Sequence, residues 1–242
     1  MSERVQKPLG SDQVAEFYLD CFAPDQVSKF ERLVPTASLE SVGTIVDVGG
    51  GCGYFAHLLH AKIGKSVRVL DTDPTSIAAC RRMGIEATQG DALSPPIAGD
   101  EEVVCFNLIL HHLVGSDERI TRGLQKQALS VWLHQAKFIF VSEYVYESFI
   151  GNIAGRLIYE ITRNRLLSAI GSAVSKVIPS LRANTFGVGV RFRAHQEWIA
   201  LFGEVGYRVV AKAYGQRDPL PLAHRLLLVR AIRRDGFVLD AA

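Results

Sequence analysis

The sequence predicts an α/β fold of the doubly wound type, with a mostly parallel sheet that carries helices on both faces. Short apolar runs bounded by glycine or proline alternate with amphipathic stretches of about ten to fifteen residues, the pattern of strands joined by crossover helices. The first of these runs, residues 44–48, leads into four glycines within five positions. The chain has 242 residues, 48% of them hydrophobic and 21% charged, so one such domain can bury a sizeable core.

Two helices are predicted before that first strand. Ser11 can cap an apolar pattern of helical spacing, and a second such pattern begins at Gln26 and is closed by Pro35. Pro74 favours a later helix start, because a proline in the first helical turn lacks an N–H that would have no partner there. Further strands are predicted at 65–73, 85–93, 101–110 and 137–145, with helices at 54–63, 74–84 and 122–135.

The alternation of strands and helices stops between Tyr144 and about Arg193. This stretch is helical in period over much of its length, and residues 144–195 contain more bases than acids. The alternation then resumes with a helix and two strands, predicted at 195–206, 207–215 and 224–233. The bases are Arg156, Arg163, Arg165, Lys176, Arg182, Arg191 and Arg193, and the acids are Glu147 and Glu160.

Composition and charge exclude several classes of protein. The formal net charge of +2 gives no general attraction for nucleic acid or for a membrane surface. The N-terminal residues lack the apolar core of a signal peptide, and no apolar segment is long enough to span a bilayer. The four cysteines are scattered singly, so neither a zinc site nor a disulfide framework is expected. We expect a soluble protein of the reducing cytoplasm.

The glycine-rich loop after the first strand narrows the choice of ligand. A P-loop requires a lysine after its glycines, and none follows here. A dinucleotide fingerprint requires a third glycine at the position of Tyr54. The remaining pattern, Asp47-x-Gly49-x-Gly51-x-Gly53, resembles the first motif of the class I S-adenosylmethionine-dependent methyltransferases.

Three further motifs strengthen this resemblance. Asp71 ends the second predicted strand, and Asp91-Ala92 ends the third, where the family places acids that face the ribose and the adenine of its cofactor. The stretch CFNLILHHL resembles the fourth-strand motif, whose turn around Phe106 and Asn107 backs onto the cofactor. The later HQEWIALFGEVGYRVV resembles a helix-to-strand signature of the same family.

The resemblance covers residues 40–143 strongly and 195–231 more loosely, and it implies both architecture and activity. It implies a seven-stranded sheet whose last strand is antiparallel, and in-line transfer of a methyl group from S-adenosylmethionine, which releases S-adenosylhomocysteine. The expected acceptor is a small molecule of specialised metabolism that accepts the methyl group at oxygen, nitrogen or carbon. The implied regions are an N-terminal helical lid (1–40), the cofactor-binding core (41–143), a helical substrate cap (144–194) and the C-terminal part of the sheet (195–242).

The resemblance also assigns roles to the motif residues. The loop glycines let the backbone approach the methionine end of the cofactor. Asp47 either receives the cofactor's ammonium group or fixes the loop. Asp71 is expected on the ribose, while Asp73 competes for that role or caps the helix that Pro74 opens. Asp91 is expected on the adenine amine, although it can also act only as a turn former.

A general base is required only where the acceptor starts protonated. His111, His112, His195 and Glu143 are candidates. The alternative for the two adjacent histidines is that they only begin the helix after the fourth strand, with one imidazole facing the cofactor pocket and the other solvated. Two adjacent histidines without a third ligand predict no metal site.

Candidate acceptor contacts are Tyr18 on the first helix, Tyr144 at the end of the fifth strand, Arg156 in the predicted cap and His195. Each of these residues can instead be part of the core or of a solvated face. Arginines in the cap would favour an acceptor that bears carboxylate or phosphate, and the cap can also pack against another subunit in a homodimer.

Other functions stay open at this point. One is methylation of a macromolecule or a carrier-bound acyl group, although no nucleic-acid module is recognisable. Another is a non-catalytic partner subunit with the same fold. An NAD-dependent dehydrogenase is disfavoured by Tyr54.

Overall fold

The structure is a computed structural model that describes residues 22–35, 39, 43–163 and 189–242. Its strands are β1 (Thr44–Val48), β2 (Val67–Asp71), β3 (Glu86–Gln89), β4 (Glu101–Asn107), β5 (Phe138–Ser148), β6 (Tyr207–Ala213) and β7 (Val229–Ala241). The described helices are α1 (Ala23–Leu33), α2 (Tyr54–Ile63), α3 (Pro74–Arg82), α4 (Glu118–Ser130), α5 (Ile153–Arg163), α6 (His195–Val205) and α7 (Leu222–Leu226). A single 3-10 turn, Leu110–His112, follows β4.

All seven strands form one sheet in the order β3-β2-β1-β4-β5-β7-β6. The first five strands are parallel to one another, whereas β7 runs antiparallel to both β5 and β6. The central strands β1 and β4 are almost entirely buried, as expected for parallel strands covered on both faces. The predicted doubly wound fold with one antiparallel strand is therefore confirmed.

Each face of the sheet is covered by its own apolar layer. Helices α4 and α6 pack on one face, where Trp198 and Phe237 are fully buried. Helices α1, α2 and α3 pack on the other face. There, Phe140 of β5 stacks on Phe55 with ring centroids 6.4 Å apart, and Phe30 meets it edge-on at 5.3 Å. These two apolar layers hold the sheet and so position the loops at the carboxyl ends of its parallel strands.

Several strand ends differ from the prediction. The last strand, predicted at 224–233, spans Val229–Ala241 because β5 and β6 pair with this later stretch, and helix α7 occupies the predicted start of that strand. Strand β4 ends at Asn107 rather than at residue 110, because Leu108 takes a left-handed backbone (φ 55°) and the 3-10 turn follows. Strand β5 continues to Ser148 rather than ending at residue 145, because β7 pairs with it along this length. The segment from Tyr144 to Ser148, which the sequence predicts as the beginning of the cap, therefore belongs to the sheet.

The predicted lid and cap are described only in part. Helix α1 and the proline that follows it confirm the second predicted helix. The helix predicted from Ser11, with Tyr18, lies outside the described residues, and so do residues 164–188. The roles of 1–40 as a lid and of 144–194 as a cap stay predictions. Within the described ranges, no helix is long and apolar enough to cross a membrane.

The packing on the α1–α3 face can be tested with Phe140→Ala. Because this ring is fully buried between two other aromatic rings, we expect the free energy of unfolding to fall by about 3–5 kcal/mol. Urea denaturation followed by circular dichroism measures the change. Phe149→Ala is the matched control, since that ring is 59% exposed and its loss should change stability by about 0.5 kcal/mol at most. Equal effects of the two changes would contradict the described packing.

Candidate active site

The candidate site lies at the carboxyl ends of the parallel strands, where the strand order reverses between β1 and β4. Ligands of open α/β sheets bind at such a reversal, because the loops on either side leave it in opposite directions. Here the loops after β1, β2 and β4 meet, and β5 extends beyond them. This geometry divides the site into a glycine-loop half over β1 and β2 and an aromatic half beside β5.

The glycine loop has a backbone that other residues adopt only under strain. Gly49, Gly51 and Gly53 have φ angles of 68°, 52° and 82°. A Cβ atom at Gly49 would lie 2.0 Å from the side chain of Ile109, whereas one at Gly51 would meet no atom within 4 Å. The Cys80 thiol donates to the carbonyl of Gly51 at 3.2 Å, and burial raises the pKa of this thiol to about 12. The hydrogen bond from Cys80 therefore fixes the loop on one side, while the side on which a Gly51 side chain would lie is open.

Asp47 ties the end of β1 to the end of β4. Its carboxylate is fully buried, and Asn107 Nδ2 donates to Asp47 Oδ1 at 2.9 Å. This contact supports the interpretation that Asp47 fixes the loop, while its contact with a ligand ammonium stays a prediction. Asn107 Oδ1 is buried and accepts no hydrogen bond from the part of the chain that the structure describes.

Asp71 and Asp73 have separate tasks. The carboxylate of Asp71 accepts hydrogen bonds from Gly51 N and from Asp73 N, each at 2.9 Å, so the acid at the end of β2 holds the glycine loop. Burial raises the pKa of Asp71 above its usual value, against the effect of these two hydrogen bonds. Asp73 accepts from Thr75 N and Ser76 N at the beginning of α3. The capping interpretation of Asp73 is therefore confirmed.

The Asp91-Ala92 segment forms a tight turn after β3. Asp91 Oδ1 accepts from Leu93 N at 2.8 Å, and Ser94 N donates to the carbonyl of Asp91. Ala92 is buried beneath it. The turn-forming role of Asp91 is confirmed, and its role on an adenine amine stays a prediction.

Glu143 of β5 organises the turn that follows β4. Its side chain is fully buried, and its two oxygens accept from Leu110 N at 2.6 Å and bind His111 Nδ1 at 2.7 Å. Because an ionised carboxylate can only accept, Nδ1 of His111 carries the proton and Nε2 is the nitrogen that can accept one. The structure thus pairs two of the predicted base candidates.

His112 has a different environment from its neighbour. Although part of its side chain is exposed, the surroundings desolvate the ring, and this effect together with His111 lowers the pKa of His112 well below its usual value. The ring therefore stays neutral and is a weak base. Of the two adjacent histidines, only His111 has an orienting carboxylate among the described residues.

Aromatic rings from β5 and from the segment before α6 pack next to His111. Tyr144 lies edge-on at 5.7 Å between ring centroids, and Phe192 stacks on the imidazole at 4.9 Å. Tyr146 stacks on the other face of Phe192 at 4.1 Å. Phe192 is a site residue that sequence reasoning missed. The alternation in Val190-Arg-Phe-Arg was the available signal, because period two indicates an extended segment with two distinct faces.

The remaining predicted contact residues are in other environments. Arg156 is exposed on α5. His195 begins α6, where Nδ1 pairs with Asp235 Oδ2 at 2.7 Å and the ring packs against Tyr214 and Phe237. Contact of either residue with an acceptor stays a prediction. Tyr18 is outside the described residues.

The positive charge counted between residues 144 and 195 is partly neutralised by acids from outside that stretch. Arg191 and Arg193 are fully buried, and both pair with Glu118 of α4, at 2.7 and 2.9 Å. Arg191 also pairs with Glu197 at 3.0 Å. Glu118 lies before residues 144–195 and Glu197 lies after them. A count of charges within that stretch therefore overstates the positive charge that is exposed. Burial and, after it, the nearby positive charge of Arg191 lower the pKa of Arg193 to about 10. The Arg193 guanidinium therefore stays charged at neutral pH.

Comparison with known proteins gives partial relatives in sequence. No protein-family model matches the chain. It is 30% identical over 105 residues to the trans-aconitate 2-methyltransferase of Mycobacterium tuberculosis, a match that covers 43% of this chain and 40% of that protein. The match thus spans less than half of the length of either protein.

Comparison with solved structures defines the fold. Geranyl diphosphate methyltransferase in complex with S-adenosylmethionine superposes with a TM-score of 0.58 at 9% identity, over 99% of this chain and 94% of that one. The mitomycin 7-O-methyltransferase MmcR superposes with a TM-score of 0.56 at 16% identity, over 96% and 58%. The chain therefore has the class I S-adenosylmethionine-dependent methyltransferase fold, as the motifs implied.

The helix cap beside the glycine loop can be tested with Asp73→Ala. Partial burial raises the pKa of the Asp73 carboxyl, but the hydrogen bonds from Ser76 and Thr75 outweigh it and hold the pKa below its usual value. The stabilisation is therefore complete above the unfolded-state pKa and is lost as the pH falls through the lower folded-state pKa. We expect a loss of about 1 kcal/mol at neutral pH that shrinks below about pH 4.

Urea denaturation at several pH values measures this difference. Asp73→Asn, which keeps a capping oxygen, is the control and should lose less stability at neutral pH. A loss in Asp73→Ala that is the same at pH 7 as in acid, near pH 3.5, would contradict a charge-dependent cap.

Proposed function

We propose that the chain is a methyltransferase that uses S-adenosylmethionine and acts on a small-molecule acceptor. The observation that carries this proposal is the joint position of Asp71 and the glycine loop on a class I fold. The acid holds Gly51 N at 2.9 Å while the space above Gly51 is open. A nucleoside whose ribose contacts Asp71 would therefore extend its 5′ substituent over the loop.

The residues present fit this cofactor. Each Asp71 oxygen accepts one backbone N–H and keeps a lone pair for a ribose hydroxyl. Asn107 Oδ1, buried beside Asp47, is an acceptor suited to the ammonium of the methionine portion. Asp91, at the end of β3, would receive the adenine amine. The loop needs no lysine because this cofactor carries no phosphate.

The chain itself contributes the alignment of the reactants and a proton acceptor. When bound, S-adenosylmethionine supplies an electrophilic methyl group on a sulfonium. Tyr144 and Tyr146 would exclude water beside it and align the acceptor, which supplies much of the acceleration for a displacement of this kind. His111, with Nδ1 held by Glu143, would take the acceptor's proton at Nε2. His112 is not assigned this role, because its lowered pKa makes it a weaker base.

A small anionic acceptor is the more specific form of the proposal. The partial sequence relative is named for trans-aconitate, a small carboxylate. Arg156 on α5 is exposed, whereas Arg163 is engaged with Glu160 and the carbonyl of Ser116. The neighbour named for mitomycin supports a role in specialised metabolism. Methylation of a macromolecule remains the alternative, and nucleic acid that co-purifies with the protein would favour it. A homodimer through the cap region also stays a proposal.

Cofactor binding is tested by calorimetric titration of Asp71→Asn with S-adenosylhomocysteine. The change removes the negative charge and one acceptor, so the affinity should fall about tenfold or more, equivalent to ~1.4 kcal/mol. Asp240→Asn is the control, because that acid pairs with Arg208 on the far side of the sheet and should not affect binding. Wild-type protein that binds S-adenosylhomocysteine no better than NAD would refute the proposed cofactor.

The proton acceptor is tested by comparing His111→Asn with His112→Asn. Labelled methyl transfer is first screened on small acceptors, beginning with trans-aconitate and including phenols and amines. For a hydroxyl acceptor we expect His111→Asn to lower kcat by about 100-fold or more, because the base is lost, and His112→Asn to change it far less. Both variants should bind S-adenosylhomocysteine as the wild type does. A larger loss in His112→Asn would overturn the assignment.

A further inference from the structure

The segment of residues 189–194, here called the strap, connects the region after α5 to the beginning of α6. It is extended and lies beside β5, where Arg193 forms a parallel bridge with Val145 and Tyr146 N donates to the carbonyl of Arg193 at 3.1 Å. Its side chains alternate, so that Phe192 faces the aromatic cluster while Arg191 and Arg193 are buried against α4 and α6.

The strap contacts the turn that carries His111 directly. Arg191 N donates to the carbonyl of His111 at 2.9 Å. The ring of Phe192 stacks on the imidazole at 4.9 Å with an interplanar angle of 28°, and its opposite face stacks on Tyr146. The imidazole is therefore held by Glu143 through Nδ1 and by Phe192 across its face. Together these contacts fix both the tautomer and the plane of the ring.

A second connection reaches the same turn through a buried amide. Arg193 Nε donates to Gln125 Oε1 at 2.8 Å, and Gln125 Nε2 donates to the carbonyl of Leu110 at 3.0 Å. The amide nitrogen of Leu110 is bound by Glu143. Both backbone groups of the residue before His111 are thus held by buried side chains, and one of them depends on the strap.

The strap is also fitted to helix α5. A Cβ atom at Gly155 would lie 2.2 Å from the carbonyl oxygen of Phe192, so α5 and the strap are in direct backbone contact. Tyr159 of the same helix is bound to the carbonyl of Gly115 at 2.9 Å, just beyond the turn. A displacement of α5 therefore has to displace either the strap or the loop after His111.

We propose that Phe192 and Arg193 are positioning residues for His111, through which the strap couples the placement of α5 to the orientation of the imidazole. This inference rests on the proposed role of His111 in methyl transfer. Misplacement of a reacting group by about an ångström lowers a rate by orders of magnitude, so a small shift of the strap is sufficient to change kcat. Arg193 acts here through the fork geometry of its guanidinium, which a lysine cannot reproduce.

The test reads the state of His111 without any acceptor. Protein labelled with ¹⁵N in histidine is observed in long-range ¹H–¹⁵N spectra, and the His111 signals are assigned by their loss in His111→Asn. We expect the wild type to show one tautomer with the proton on Nδ1. Phe192→Leu removes the stacking ring, and Arg193→Lys keeps the buried charge but removes the bond to Gln125. Both variants should shift the His111 signals and mix the two tautomers.

Two controls separate positioning from a loss of folding. Phe192→Tyr keeps the stacked ring and should preserve the wild-type signals, and Arg208→Lys alters an arginine on the exposed surface of β6. Urea denaturation of every variant measures stability. Wild-type His111 signals in both Phe192→Leu and Arg193→Lys, with stability reduced, would show a merely structural strap and overturn the proposal.

The cofactor and the strap are tested by separate readouts. Neither variant alters the glycine loop or Asp71, so the affinity for S-adenosylhomocysteine should stay within about twofold of the wild type. Absence of binding in the wild type would refute the proposed function, while the spectra would still decide whether the strap orients His111. With an accepted substrate, Phe192→Leu should lower kcat by about tenfold or more at an unchanged KM for S-adenosylmethionine. A changed KM with an unchanged kcat would contradict positioning.

Discussion

The buried carboxylate of Glu143 is the constraint on which the loops at the carboxyl ends of the parallel strands depend. A charged group taken out of water is costly unless hydrogen bonds replace its hydration. Glu143 obtains them from Leu110 N, from His111 Nδ1 and from the amide of Tyr144. All three partners belong to the aromatic half of the site. The acid therefore fixes the turn after β4 and the tautomer of the His111 imidazole. It also lies at the point beyond which β5 no longer pairs with β4.

Strand β4 joins this half to the glycine-loop half. Its last residue, Asn107, holds the buried Asp47 of β1 through one hydrogen bond, and the next residue, Leu108, reverses the chain with a positive φ angle. Asp71 then holds the glycine loop from β2. A cofactor over the loop and an acceptor beside His111 would thus be positioned by side chains that all arise from adjacent strand ends. This proximity is what an in-line transfer requires.

The sequence predicts a structural feature where neighbouring residues determine that feature. The strands, the glycine loop and the cap at Asp73 depend on neighbouring residues, so pattern and spacing were sufficient for them. The pair His111–Glu143 joins residues 32 positions apart, and only the register of β4 against β5 brings them together. For this reason the sequence could name both as bases but could not show that one orients the other.

The misjudged residues have the same physical origin. Arg193 and Glu118 are 75 positions apart. A count of charges over a continuous stretch of sequence therefore included the arginine but not the glutamate that pairs with it. The end of β5 was misplaced because its antiparallel partner, β7, pairs with it as far as Ser148, six residues beyond the last parallel pair at Ser142. In both cases tertiary pairing overrode a local interpretation.

A crystal structure of the protein with S-adenosylhomocysteine would show most directly how the ligand lies at the carboxyl ends of β1 and β2. We expect both ribose hydroxyls on the carboxylate of Asp71, the amino-acid portion over Gly51 beside Asn107, and the sulfur directed towards His111 and Tyr144. The ligand bound away from the carboxyl ends of β1 and β2, or a ribose that makes no contact with Asp71, would contradict this arrangement.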